Sequence, residues 1–147
     1  MPIPNFLIHL ENSLTDNKFN ASISDVQITE EKNDYNACTF TLNDKKFIYR
    51  EAKVTPKKVG YFVAIWQRDY EGKTIPYHIK DDFDYFIIST RHGYFLYPKE
   101  ELAKLNIIST EQKEGKRGMR VYPNLGAEMN KQALKTYQSH FPFWNNF

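Results

Sequence analysis

The stretch from Tyr35 to Arg68 constrains the fold most. It runs "NACTFTL", the pair "ND", "KKFIYREAKV", the loop "TPKKV" and "GYFVAIWQR". Aromatic and β-branched residues at alternating positions mark three strands. Their connections are too short for a crossover, so the spacing predicts a three-stranded antiparallel meander. Asn43 and Asp44 suit a two-residue hairpin turn because both types tolerate positive φ. That turn sets a register in which Leu42 faces Lys45, Phe40 faces Phe47 and Cys38 faces Tyr49, an apolar cross-strand set. Carried outward, Asn36 faces Glu51 and Asp34 faces Lys53.

The rest of the chain dresses this sheet. Ile3, Phe6, Leu7, Leu10 and Leu14 recur at helical spacing and predict an amphipathic helix over residues 3 to 14. Residues 15 to 34 read mostly as loop, with a short strand around Val26 and Ile28. "DYFIIST" and "GYFLYP" form a second strand pair joined around His92 and Gly93, and "KEELAKL" is a short helix entered from Pro98. "GMRVYP" is the last strand expected. A closing helix spans 128 to 141, with Met129, Ala133, Tyr137 and Phe141 on its apolar face. Strands in the middle and helices at both ends argue for an α/β (α+β) fold, a central mixed or antiparallel sheet flanked by helices. A chain of 147 residues suits one domain. One cysteine, no basic leader with a long apolar run, and no apolar stretch near 18 residues argue for a cytoplasmic protein that does not enter a membrane.

Charge is unevenly placed. Residues 45 to 68 carry seven Lys or Arg against one acid, Glu51, whereas residues 10 to 34 carry six acids against two lysines. A second basic run, "KEGKRGMR", supplies Lys113, Lys116, Arg117 and Arg120. Such clusters serve equally as solvated surface or as a footprint for a phosphate backbone. Arg120 shares its strand face with Tyr122, which predicts an ordered guanidinium.

Glu51 and Lys53, two apart on one predicted strand, would point to the same side. Nucleases that use a carboxylate and a lysine two residues apart need that arrangement: acids hold a divalent cation and the lysine aligns water. Asp or Glu two before Lys occurs seven times in this chain, and the Glu51 copy alone lies in a strongly patterned strand. With Asp34 as the second acid, the same group reads first as a cross-strand salt bridge at a sheet end and second as a metal site. The four histidines show no zinc-ligand spacing. Trp66 reads as core, beside Phe62 and Ala64, and Cys38 as a small buried hydrophobe.

"AKVTPKKVGYFVAIW", with Ala52, Lys53, Thr55, Pro56, Lys57, Lys58, Gly60, Phe62, Val63 and Trp66, resembles the MepB family, as do Tyr35, Ala37 and Phe40 before it. The resemblance continues through Phe95, Pro98, Lys99, Ser109 and Thr110, and then Gly115, Lys116, Arg120, Val121, Tyr122 and Pro123 in "GKRGMRVYP". It implies a restriction-endonuclease-like fold and association with DNA, and the family's name comes from a multidrug-export setting. Where that family usually closes on a Trp-Gln pair, this chain has Ser139 and His140. The combined expectation is a protein that binds nucleic acid, duplex DNA foremost, through Lys53, Lys57, Lys58, Lys116, Arg117 and Arg120. If it cleaves, Asp34 and Glu51 would hold Mg²⁺ and Lys53 would align water. The rival expectation is a non-catalytic accessory or small-molecule-binding protein linked to efflux.

Overall fold

The computed structural model describes residues 5 to 17, 23 to 28, 35 to 126 and 128 to 147. Its elements are α1 (Asn5–Asn17), β1 (Ser24–Ile28), β2 (Cys38–Leu42), β3 (Lys45–Glu51), β4 (Lys53–Val54), β5 (Tyr61–Ala64), β6 (Trp66–Arg68), β7 (Thr74–Pro76), β8 (Tyr85–Ser89), β9 (Gly93–Pro98), α2 (Lys99–Lys104), β10 (Gly118–Val121), α3 (Lys131–His140) and β11 (Trp144–Asn146). A six-stranded mixed sheet has the order β1-β2-β3-β8-β9-β11, and a smaller sheet has the order β10-β5-β4.

The hairpin β2–β3 turns at Asn43 and Asp44, with φ of 52° and 62°, as a two-residue turn with both central residues in the left-handed region requires. Its register pairs Leu42 with Lys45, Phe40 with Phe47 and Cys38 with Tyr49. Phe47 stacks between Phe40 and Tyr85 with ring centroids 5.0 Å from each.

The expected meander stops there. Ile48, Tyr49 and Arg50 are all buried, so β3 is covered on both faces and sits centrally. A strand in that position needs a neighbour that is apolar on both faces. "YFIIS" of β8 supplies one and pairs with β3 in parallel, Tyr49 opposite Ile87. Residues 52 to 84 are long enough for the crossover that parallel pairing demands. "GYFVA" goes instead to the small sheet as β5. There Val63 and Ile65 point inward, while Phe62, Ala64 and Trp66 are only half-buried, reversing the expected face.

Two cores lie on opposite faces of the large sheet. Leu7, Leu10 and Leu14 of α1 cover Phe40, Leu42, Phe47 and Ile87 on one face. Val63, Met119 and Val121 of the small sheet, with Leu102 of α2, cover Ile48, Phe86, Ile88 and Tyr97 on the other. After α3 the chain returns to the sheet as β11, pairing Trp144 with Phe95, so "GMRVYP" is not the last strand. α3 buries Ala133 of the expected apolar stripe together with His140, while Tyr137 is half-buried; Phe141 is half exposed and its ring meets that of Tyr137 at 5.5 Å. Among the described residues, no helix is long and apolar enough to cross a membrane.

Candidate anion-binding cleft

The seven cations of residues 45 to 68 do not form one face. Lys46 pairs with Asp82 at the far end of the hairpin, and Arg68 lies over the Trp66 ring at 4.9 Å. Arg50 is inside the protein. Its guanidinium donates to the Tyr49 carbonyl and the Tyr77 hydroxyl, both at 2.9 Å, and lies 5.9 Å from the Phe86 ring centroid. Those contacts replace the hydration that a buried charge gives up.

Glu51 and Lys53 are separated by a change of sheet. β3 ends at Glu51, the Ala52 N–H donates to the Ser89 carbonyl, and Lys53 opens β4 opposite Phe62 in the small sheet. Continuation of the ladder to Asn36 also fails. Asn36 adopts φ 47°, and the Glu51 N–H donates to the Tyr35 carbonyl at 2.7 Å. The half-buried Glu51 carboxylate accepts from the Tyr49 hydroxyl at 3.1 Å. Asp34, the second expected metal ligand, lies outside the described residues. Among the described residues, no group of three or more His, Cys, Asp or Glu could hold a metal ion. Mg²⁺ is usually bound through one or two carboxylates plus water and substrate oxygens in octahedral geometry, and of the two expected ligands only Glu51 is among the described residues.

What does converge is a cleft of about 990 Å³ beside α3 and the small sheet. Lys57 and Lys58 reach it from the Thr55-to-Gly60 hairpin loop between β4 and β5. Lys116 reaches it from the loop just before β10, Arg120 from β10 itself, and Lys135 from α3. Glu128 is the single acid among the described residues that line it. Leu105, Ile107 and Met119 supply an apolar part of the lining. Two sequence-distant basic clusters therefore share one concavity. Lys53 and Arg117 do not line it; Lys53 is exposed on β4, and the Arg117 Nε donates to the Thr74 carbonyl at 3.2 Å.

Arg120 builds the cleft as well as charging it. From β10 its Nε donates to the Val59 carbonyl at 3.0 Å, and its Nη2 donates to the Thr55 hydroxyl at 2.7 Å and the Gly60 carbonyl at 3.3 Å. These bonds clamp the loop that carries Lys57 and Lys58. Gly60 has φ +79°, and a Cβ there would stand 2.5 Å from the Tyr122 ring, so the loop must close on glycine. Lys57, at φ +65°, adds a second left-handed position.

The MepB-like family model matches residues 29 to 146. The chain belongs to the MepB-like family. Every residue of the cleft falls within the matched region, and the run from Thr55 to Gly60 that carries the resemblance is one of its walls. A solved structure described as the crystal structure of MepB superimposes with a TM-score of 0.80 at 30% identity, covering 98% of this chain and 97% of that one. No curated protein matches the sequence.

This MepB-like chain also places in the cleft three residues that sequence reasoning did not select: Lys135, Glu128 and His140. Gln132, Thr136 and Ser139 recur there at helical spacing, a polar stripe on α3 that was legible but overshadowed by the apolar residues at 129, 133, 137 and 141. His140 is 6% exposed, its Nδ1 lies 2.7 Å from the Tyr97 hydroxyl, and burial, reinforced by the Lys116 charge, lowers its pKa to about 4.

Proposed function

We propose that this chain binds nucleic acid, duplex DNA in the first instance, by gripping the sugar–phosphate backbone in the α3 cleft. The observation that carries the reading is the convergence of Lys57, Lys58, Lys116, Arg120 and Lys135 on one concavity, with Glu128 the single carboxylate among its described lining residues. A field of that sign concentrates polyanions and releases their counterions on binding. The ten residues of α3 extend about 15 Å at 1.5 Å per residue. Phosphates of one strand advance about 3.4 Å each along the duplex axis, so α3 laid along that axis would pass roughly four of them. Backbone contacts carry no base sequence, so recognition is expected to be largely indifferent to sequence.

Binding without cleavage is the better-supported form of this reading. Glu51 and Lys53 do not line the cleft, so a backbone held there would not lie against them. A mobility shift with labelled duplex DNA in EDTA, at several salt concentrations, tests it. Affinity should fall with a log-log slope of roughly −4, and replacing both Lys57 and Lys58 by alanine should flatten that slope by about two. Repeating the assay in Mg²⁺ and Mn²⁺ should yield no shortened product. Absence of binding at low salt, or a slope near zero, would remove nucleic acid from the reading.

A further inference from the structure

The buried pair Tyr97 and His140 lies where the cleft meets the second core. Tyr97 is fully buried, and its hydroxyl meets the His140 ring 2.7 Å away at Nδ1. No other acceptor for that hydroxyl occurs among the described residues, so an unused buried O–H is avoided only if Tyr97 donates to Nδ1. Nδ1 is then unprotonated and the proton of the neutral ring sits on Nε2. Burial keeps the ring neutral at physiological pH even though it ends α3, where helix carbonyls would favour a cation. Nε2 meets no partner among the described residues, and among them no fully buried side-chain nitrogen or oxygen lacks one. His140 lines the cleft, and Nε2 is the ring nitrogen that Tyr97 does not engage.

We infer that His140 Nε2–H and the Lys116 ammonium form a phosphate seat at the buried edge of the cleft, with Tyr97 as the positioning residue that fixes the imidazole tautomer. The inference rests on the backbone-binding reading and deepens it. Lys116 lines the same cleft and is near enough for its charge to act on the imidazole, so an oxygen accepting from Nε2 sits in a cationic field. A neutral donor adds a directed hydrogen bond without adding to counterion release. It therefore tightens binding without steepening the salt dependence, which separates its contribution from that of each lysine.

The test combines DNA affinity with ¹⁵N NMR of the histidine ring. In the free protein His140 should show the Nε2–H tautomer at pH 7, and in Tyr97→Phe, whose altered side chain does not line the cleft, a mixture of tautomers. His140→Phe should lose affinity for duplex DNA by about tenfold at unchanged salt slope, as expected for a lost hydrogen bond to a charged group. His140→Gln, which retains a donor, should remain within about threefold. Lys116→Ala should instead flatten the slope by about one. Two titrations followed at His140 Nε2 distinguish the source of the phosphate. A shift with duplex DNA but not with inorganic phosphate assigns the seat to the backbone, and a saturating shift with inorganic phosphate alone assigns it to a free phosphate. Should DNA fail to bind, the nucleic-acid reading falls, while the phosphate titration still decides the seat. An unmoved His140 resonance in both titrations, an Nδ1–H tautomer in the wild type, or wild-type affinity in His140→Phe would overturn the inference.

Discussion

Replacing Arg120 by alanine should harm binding more than removal of one charge explains. The side chain contributes three hydrogen bonds to the loop from Thr55 to Gly60, at 2.7, 3.0 and 3.3 Å, and lines the cleft. Bonds to a charged donor contribute about 1.5 to 3 kcal/mol each when isolated. Here the guanidinium is only half-buried, and water can reach the abandoned acceptors, so the three together should contribute about 2 kcal/mol to stability. For a chain of this size that corresponds to a fall in Tm of roughly 4 to 8 °C. The binding consequence is larger because Lys57 and Lys58 sit in the loop that Arg120 holds. Loss of one cation should flatten the salt slope by about one. Release of the loop should add the cost of ordering it again, of the order of 1 kcal/mol per residue fixed. Hydrogen exchange of residues 57 to 60, thermal unfolding and a DNA salt titration of Arg120→Ala beside Lys135→Ala make the comparison. If the two variants bind alike and exchange at the loop is unchanged, Arg120 is merely another surface cation and the clamp does not exist. Arg120→Lys should not rescue, because an ammonium cannot span acceptors on both arms of the loop as the guanidinium fork does.

Three further outcomes follow from the same geometry. Gly60→Ala places a Cβ 2.5 Å from the Tyr122 ring and 2.9 Å from the Val121 carbonyl at φ +79°, and should cost roughly 2 to 4 kcal/mol in urea unfolding from clash and backbone strain together. Stability should fall as pH drops through the window set by His140: its folded pKa is about 4, below the ordinary 6.5, so the unfolded state binds the extra proton between those values. The stabilisation is complete above about pH 6.5, and up to roughly 3 kcal/mol is lost by about pH 4, whereas His140→Gln should remove that part of the pH dependence. Cys38 is 1% exposed and burial pushes its thiol up to about 12, so native protein should resist thiol-specific alkylation at pH 8 and react only on unfolding; rapid native modification would contradict the packing.

Local chemistry settled the elements whose partners are close in sequence. The Asn43–Asp44 turn fixed the β2–β3 register residue by residue, because a two-residue turn leaves one alignment. Leu7, Leu10 and Leu14 marked the buried side of α1, and Pro98 the entry to α2. The ordered state of Arg120 was also legible, since Met119 and Val121 had to take the core face and leave its side chain toward the loop. Glu51 and Lys53 do not share one strand, for a physical reason: the two-residue rule for strands holds only while one strand continues, and β3 hands over to another sheet at Ala52.

The sequence by itself determined where charge and apolar surface occur and which short turns close. It also separated Lys57 and Lys58 from Lys116 and Arg120 by more than fifty residues, with nothing local to say whether they meet. The tertiary structure decided that. Pairing of β5 with both β4 and β10 brings the loop to Arg120, and docking of α3 beside β10 adds Lys135 and His140. The same packing decided that Arg50 is interior and that His140 is neutral, because burial depends on what the whole chain places around a side chain rather than on its neighbours in sequence.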